Sequence, residues 1–304
     1  MMKHIPVMLK ECIDLLNIHE GGIYIDATLG VGGHSEAILE KLKGGKLIGF
    51  DRDIDAIKRV EKRLAAYSEQ THLVHSSYTD LQKTLEAMNI EAVDGILFDL
   101  GVSSPQFDDA SRGFSYRFDA RLDMRMDQSQ SLSAYEVVNE YSQERLVKVL
   151  RENGEERYSK RIVELIIEAR PVETTFQLVD IIKRAYPNKE LKKGHPAKKV
   201  FQALRIEVND EFEEVKSAID QAIHSLKVGG RLVVITFHSL EDRIVKNIFN
   251  HYGKPKKVDP RMPLIEEEVL DYKLVTRALK ASKNELEDNN RAHSAIVRAI
   301  ERVN

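Results

Sequence analysis

In the stretch YIDATLGVGGHS, residues 24–35, a short apolar run leads into Gly30, Gly32 and Gly33 just before a helical pattern. Glycine lacks a Cβ, so a glycine-rich turn after a strand lets backbone N–H groups approach a ligand closely. A nucleotide-phosphate loop, a loop for a sulfonium cofactor and a plain tight turn all fit this stretch alone. The residues around it must decide among them.

The pattern on both sides of this turn predicts an α/β fold. Between Gly22 and Ser103, short β-branched apolar runs alternate with charged helical stretches, which is typical of a doubly wound parallel sheet. Strands are predicted at GIYIDAT, KLIGFD, THLVHS and VDGILFDLG, giving the βαβαβαβ order of a Rossmann-like half. Three further strands are predicted at RLVVITF, YKLVTRAL and SAIVRAIERV.

A helical insertion interrupts this α/β pattern. Strand-like runs vanish over residues 105–196, where charges become dense and helical patterns follow one another. We therefore predict a discontinuous α/β domain formed by residues 1–104 and 197–304, with the inserted helical domain between them. The α/β domain is expected to resume with a long helix from residue 197 to about 226.

Composition restricts the class of protein. Lys and Arg number 46 against 49 Asp and Glu, which gives a formal charge of −3. Any basic surface that binds nucleic acid must therefore be confined to part of the chain. The single cysteine, Cys12, fits a reducing compartment, and His72 and His75 lack further ligands at metal-binding spacing. The N-terminus has no apolar core of signal-peptide length, and no apolar run reaches the roughly 18 residues of a membrane span. A cytoplasmic protein with neither a metal site nor a membrane contact is expected.

The glycine turn fits a S-adenosylmethionine (SAM) loop better than a dinucleotide loop. The fingerprint G-x-G-x-x-G, started at Gly30, would require a third glycine where the chain has Ser35. The D-x-G-x-G-x-G pattern typical of SAM enzymes is met by Asp26, Gly30 and Gly32, with Thr28 replacing the first glycine. SAM is therefore favoured, and NAD stays open as the weaker alternative.

Two residues at the ends of the next strands complete a cofactor pattern. Asp51 ends the second strand, where a carboxylate can accept hydrogen bonds from both hydroxyls of a ribose; a helix cap is the alternative role. Tyr78 follows the third strand, where its ring can stack on adenine or simply pack on the sheet.

The loop after the fourth strand is predicted to carry the reaction. The strand ends at Asp99, and ligands of open α/β sheets bind outside the carboxyl ends of strands. Amine-directed methyltransferases have a polar-Pro-Pro-aromatic loop here, and this chain replaces the second proline by Gln106. A turn capped by serines is the alternative. Cys12 lies far from this loop, which argues against carbon-5 methylation through a thiolate adduct. The candidate catalytic residues are Asp99, Ser103, Ser104 and Pro105.

Several long strings then match one family: DLGVSSPQ, RGFSYRFDARLDMRMD, GEERYSKRIV, HPAKKVFQALRIEVN and TFHSLEDRIVK. With them the whole chain resembles the bacterial small-subunit ribosomal RNA cytidine methyltransferases of the RsmH or MraW type. The resemblance implies a Rossmann-like class I SAM methyltransferase with an inserted substrate-recognition domain. It also implies methylation of the exocyclic 4-amino group of one cytidine in the decoding region of 16S rRNA. The implied SAM contacts are Gly32, Gly33, His34, Asp51, Tyr78, Asp99 and Gln106.

The chain departs from the family pattern at three positions. Arg121 stands where the family usually has proline, which changes the stiffness of a loop and adds a cation. Asn290 and His293 stand where proline and arginine are usual, outside the cofactor motifs.

RNA contacts are predicted from local basic character. Residues 183–205 hold eight Lys or Arg and one acid, and the segment 112–127 interleaves arginines with aromatic rings. The arginines of that segment can instead pair with Asp119, Asp123 and Asp127, and His238 can serve as a hydrogen-bonding residue of its loop. The candidates are Arg112, Arg117, Arg125, Lys192, Lys193, Lys198, Lys199 and His238.

Two other functions fit part of the pattern. A ribosome-assembly factor that keeps SAM as a structural ligand would explain the basic segment, and an NAD-dependent oxidoreductase would explain the glycine turn. The expected partner is small-subunit rRNA or the assembled small subunit, and a homodimer is compatible with the sequence.

Overall fold

The computed structural model describes residues 6–101, 107–192, 194–255 and 269–304. The chain divides into two compact units, one formed by Met1–Gly101 with Phe212–Asn304 and the other by Val102–Glu211. No helix in the described ranges has the length and apolar character needed to cross a membrane.

The first unit is built on a seven-stranded sheet in the order β3-β2-β1-β4-β5-β7-β6. Strands β1 to β5 run parallel, and β7 is antiparallel to both β5 and β6. All seven predicted strands are present, and the α/β Rossmann-like fold is confirmed. The strands are β1 Ile23–Asp26, β2 Lys46–Asp51, β3 Thr71–His75, β4 Val93–Asp99, β5 Leu226–Thr236, β6 Tyr272–Lys280 and β7 Ile296–Arg302.

Helices of this unit cover the sheet. Alternate residues of the central strands point to opposite faces, so that Ile25 and Ile96 join one apolar cluster while Tyr24 and Leu97 join the other. Burial on both faces explains why these strands are continuous apolar runs. The helices flanking the first four strands are α1 Leu9–Leu16, α2 Gly33–Leu42, α3 Ile54–Arg63 and α4 Leu81–Ala87.

The second unit is helical, as the sequence predicts. Helix α5 begins with a capping box in which Ser133 and Glu136 satisfy each other's backbone N–H groups, and Thr174 and Gln177 do the same for α8. The helices share one apolar core. They are α5 Ala134–Glu140, α6 Gln143–Glu152, α7 Ser159–Ala169, α8 Thr175–Ala185, α9 Asn188–Leu191 and α10 Ala197–Asn209.

Two sequence predictions differ from the structure at the end of this unit. The long helix predicted from residue 197 to 226 is two helices, because Asp210 adopts a left-handed conformation (φ 48°) that ends α10 before α11, Glu211–His224, begins. Helix α10 packs on α5 and α6, so it belongs to the helical unit. The boundary between the units therefore lies at Glu211 rather than at residue 196. The remaining helices are α12 Ser239–Gly253 and α13 Lys283–Asp288.

Candidate functional site

The carboxyl ends of the central strands bring three predicted residues to one edge of the sheet. Strand β1 lies between β2 and β4, with Asp26 beside Gly49 on one side and beside Leu97 on the other. The chain passes from β1 to β2 on one side of this point and from β4 to β5 on the other. Ligands of open α/β sheets bind where the strand order reverses in this way. Asp26, Asp51 and Asp99 are the last residues of β1, β2 and β4.

Asp51 holds the glycine turn against the end of β2. Its Oδ2 accepts the N–H of Gly30 at 3.0 Å and its Oδ1 accepts the N–H of Asp53 at 2.8 Å. Burial raises the pKa of Asp51 to about 6, and these two backbone bonds oppose the rise. Each oxygen keeps a lone pair beyond the one used by the backbone, so the carboxylate can still accept hydrogen bonds from a ligand.

The two glycines predicted to contact the cofactor are also required by packing. Gly32 has φ +78°, and a Cβ there would lie 3.2 Å from the methyl groups of Val60. A Cβ on Gly33 would lie 2.3 Å from Cγ of Pro6. Both positions therefore need glycine even before any ligand is considered, and their contact with a cofactor stays a prediction.

Thr28 and Ser35, the two residues that break the glycine patterns, are both hydrogen-bonded to the carboxyl edge of the sheet. The hydroxyl of Thr28 accepts the backbone N–H of Asp99 at 2.6 Å, which ties the first turn to the end of β4. The hydroxyl of Ser35 donates to Asp26 at 2.6 Å. Glycine at either position would lose that bond, and the spacing of the motif gave no sign of it.

The buried His34 and the half-buried Asp99 lie side by side, and neither has a positively charged partner in the part of the chain that the structure describes. Oδ1 of Asp99 is buried and has no hydrogen-bond partner among the described residues. Burial, then the charges of Asp26 and Glu241, raise the pKa of Asp99 to about 8. Burial lowers the pKa of His34 to about 4, and its Nε2 lies 3.2 Å from the carbonyl of Val7. A carbonyl only accepts, so Nε2 carries the proton and the lone pair of Nδ1 faces Asp99 Oδ2 at 3.7 Å.

Tyr78 lies under a guanidinium that an acid from α11 holds in place. Its ring meets Phe98 edge-on at 5.5 Å, and the guanidinium carbon of Arg52 lies 5.8 Å from the ring centre. Arg52 donates to Ser77 at 3.3 Å and pairs with Glu214, which belongs to α11. Sequence reasoning missed both Arg52 and Glu214, since their pairing joins positions far apart in the chain.

His238 caps helix α12. Its backbone N–H and that of Phe237 donate to Glu241, and its own ring accepts the N–H of Glu241. Only 13% of the His238 side chain is exposed. The structure thus gives His238 the hydrogen-bonding role considered above, and its contact with RNA stays a prediction.

The arginines of the 112–127 segment divide into two kinds. Arg112 donates to the carbonyl oxygens of Arg125 and Met126. Arg125 makes a bidentate pair with Asp123, at 3.0 and 2.7 Å, and also donates to two backbone carbonyls. Arg117, in contrast, is exposed, and its guanidinium has no ion pair among the described residues.

Three of the predicted RNA-binding lysines, Lys192, Lys198 and Lys199, are exposed on the helical unit. Lys192 and Lys198 make no side-chain bond to a described residue, whereas Nζ of Lys199 donates to the carbonyl of Glu155 at 2.8 Å. No group of His, Cys, Asp and Glu in the described ranges is arranged to hold a metal ion. Five predicted site residues lie outside the described residues: Ser103, Ser104, Pro105, Gln106 and Lys193.

Comparison with known proteins gives matches over the whole chain. Residues 1–303 match the MraW methylase family. A protein of Mesoplasma florum named ribosomal RNA small subunit methyltransferase H is 50% identical, the match covering 99% of this chain and all of that relative. Proteins of the same name from Clostridium botulinum and Lactobacillus delbrueckii are 49% and 48% identical, each over 99% of both chains.

Proposed function

The chain belongs to the MraW methylase family of SAM-dependent rRNA methyltransferases, and on that premise we propose that it methylates the exocyclic 4-amino group of one cytidine in the decoding region of 16S rRNA. The finer assignment rests on the family strings, above all DLGVSSPQ after β4. The observation that carries it in the structure is the unpartnered, buried Oδ1 of Asp99 directly before that loop.

The residues at the sheet edge fit SAM as the cofactor. SAM carries a positive sulfonium and a positive amino group, and a buried carboxylate without a cation nearby is suited to receive such a charge. We assign Asp99 to the methionine end, Asp51 to the ribose and Tyr78 to the adenine. Gly32, Gly33 and His34 would form the wall of the same pocket, and Gln106 would complete it.

The reaction requires the protein to align the two reactants and to accept hydrogen bonds from the amino group. When bound, SAM supplies an electrophilic methyl group, so that a nitrogen–carbon bond forms as the sulfur–carbon bond breaks and the nitrogen then loses one proton. The lone pair of the cytosine amino group is delocalised into its ring, so the protein must hold the nitrogen in line with the methyl group and accept its N–H bonds. We assign this task to the loop of Ser103, Ser104 and Pro105, with Asp99 at its base.

The helical unit would bind the RNA. Its exposed cations supply the positive surface that phosphates require, although the net charge of the chain is −3. We assign phosphate contacts to the exposed residues Arg117, Lys192 and Lys198, and to Lys193 by sequence.

Nucleoside analysis tests the proposal directly. The purified chain is incubated with SAM labelled in its methyl group and with small ribosomal subunits that lack the modification, and the RNA is digested to nucleosides. Label in 4-methylcytidine is expected. Label in any other nucleoside would contradict the proposed acceptor, and binding of SAM without any label would favour an assembly factor.

The choice of substrate form is tested in the same assay. Free 16S rRNA and assembled small subunits are offered separately at equal concentration. A label confined to one of them identifies the form that the enzyme uses, and equal labelling assigns recognition to the local RNA sequence.

A further inference from the structure

Two exposed phenylalanines lie next to each other on the helical unit. Phe118 is 46% exposed and Phe176 is 44% exposed. The hydroxyl of Thr175 donates to the carbonyl of Phe118 at 2.6 Å, and the carboxylate of Asp119 accepts the N–H of Phe176 at 3.2 Å. The loop before α5 is thus fastened to the first turn of α8, which holds both rings at the surface. Large apolar groups grouped at a surface mark interaction sites.

A stacked ring pair lies just before Phe118 in the sequence. The ring of Tyr116 stacks on that of His195 with centroids 4.2 Å apart and planes 10° apart. The ring of Tyr116 also meets the buried Phe201 edge-on at 5.8 Å, which anchors Tyr116 to the core while His195 is exposed. Rigid rings of this kind offer a flat surface at little cost in conformational entropy.

Positive charge surrounds this stack. The pKa of His195 is lowered, first by burial and then by the charges of Lys183 and Arg117. The nearby acids are engaged: Asp119 accepts the N–H of Phe176, and Asp180 lies 3.6 Å from Lys183. A surface that combines aromatic rings with Arg117, which has no ion pair among the described residues, fits a polyanion with flat groups.

We propose that Phe118, Phe176 and the Tyr116–His195 stack form a binding surface for unpaired bases of RNA, with Arg117 contacting the phosphates. Sequence-specific RNA recognition relies on unpaired bases that stack on aromatic rings. The inference rests on the proposed function, from which it takes RNA as the substrate. It adds contacts with the bases, which the basic residues alone cannot make.

The test is a double variant of the full chain, Phe118→Ala with Phe176→Ala. Its affinity for a single-stranded RNA oligonucleotide from the decoding region is measured by fluorescence anisotropy at constant salt. Loss of two stacked bases predicts an affinity at least about tenfold lower. Thermal unfolding and SAM binding should stay unchanged, because both rings are exposed. Phe118→Tyr, which keeps the ring, should retain the affinity.

Ile54→Ala is the matched control, since Ile54 is a comparably exposed apolar side chain (42%) on the α/β unit. It should leave the affinity for RNA unaltered. An unchanged affinity in the double variant would overturn the inference. So would a loss confined to small subunits with normal binding of free RNA, because the rings would then contact a ribosomal protein.

Failure of this inference is distinguishable from failure of the proposed function. If the wild type labels no 4-methylcytidine but the double variant still loses RNA affinity, the base-binding surface stands and the proposed acceptor is wrong. If the wild type labels 4-methylcytidine and the double variant binds RNA normally, the function stands and the surface is wrong.

Discussion

The carboxyl edge of the sheet and the arginine-rich segment of the helical unit differ in the surroundings of their charged side chains. At the sheet edge, Asp26, Asp51 and Asp99 are desolvated, and the pKa of each is raised. In the helical unit, Arg112 and Arg125 are surrounded by carbonyl oxygens and, for Arg125, by the carboxylate of Asp123.

The difference indicates where each region's function resides. A buried carboxylate oxygen without a partner is costly unless something positive is bound there, so the Oδ1 atom of Asp99 supports the proposed ligand site at the sheet edge. Arginines that already satisfy carbonyls are committed to folding the loop. The arginine of this segment that we propose to bind RNA is therefore Arg117, which the folded loop leaves exposed.

Replacing Asp99 by asparagine should break the sheet edge most strongly. Asp99→Asn keeps the shape but removes the charge, and a hydrogen bond to a charged group contributes about 1.5–3 kcal/mol. We expect the Kd for SAM to rise about 100-fold, measured by calorimetry. A Kd within twofold of the wild type would remove Asp99 from the cofactor site.

The same variant tests the raised pKa of Asp99. Below its pKa of about 8 the carboxyl group holds a proton that a bound cation must displace, so the affinity of the wild type for SAM should increase from pH 6 to pH 8. In the absence of SAM, the folded chain binds this proton more tightly than the unfolded chain. Its free energy of unfolding should therefore fall as pH rises from about 4 to 8. Both trends should be weaker in Asp99→Asn.

Removing Arg125 should damage the fold of the helical unit rather than RNA binding alone. Arg125→Ala removes the guanidinium from Asp123, which keeps the backbone N–H of residue 125, and leaves the carbonyls of Gln128 and Gln130 without that donor. We expect the free energy of unfolding to fall by about 2 kcal/mol. Urea unfolding followed by circular dichroism measures the loss. Arg117→Ala is the control, with unchanged stability and weaker binding of RNA. Equal stability of the two variants would contradict the assignment of a structural role to Arg125 and an RNA-binding role to Arg117.

Much of the sheet edge was predictable because its pattern is local. A strand, a glycine turn and a strand-end acid follow one another in the sequence, and Asp51 and Asp99 lie at the edge that this order predicts. The hydroxyls of Thr28 and Ser35 looked only like departures from a motif. Their partners are fixed by the fold, and that of Thr28 is the N–H of Asp99, on another strand.

The helical unit was harder to predict, since several of its arginines, such as Arg112 and Arg170, donate to backbone carbonyls. A carbonyl has no sequence signature, so Arg112 and Arg117 look alike until the loop is folded. The end of α10 is similar: Asn209 and Asp210 interrupt an otherwise continuous helical pattern, and only the left-handed conformation of Asp210 shows that the helix stops.

Arg52 and Glu214 form an ion pair beside Tyr78, which we propose to contact the adenine of SAM. Glu214→Gln removes the charge that holds Arg52 over Tyr78, and a partly buried ion pair of about 1 kcal/mol corresponds to roughly fivefold in binding. We expect the KM for SAM to rise by that factor at unchanged kcat. Glu213→Gln, which alters an exposed surface pair with Lys216 on the same helix, should change neither constant. A fall in kcat alone would place Glu214 elsewhere in the reaction.

The smallest expected effect separates two adjacent lysines of the basic segment. Lys198 has no side-chain partner among the described residues, whereas the ammonium group of Lys199 is tied to the carbonyl of Glu155. Lys198→Ala should lower RNA affinity about twofold and reduce the slope of log affinity against log salt by about one, since a phosphate contact releases one counterion. Lys199→Ala should change that slope less. The salt series is measured on both variants with the same oligonucleotide, and a larger change for Lys199 would show that the carbonyl contact is given up when RNA binds. In that case an exposed lysine would bind phosphate even when it already bonds to a backbone carbonyl of the folded chain. The rule that a cation bonded within the fold does not bind RNA would then apply only to the arginines.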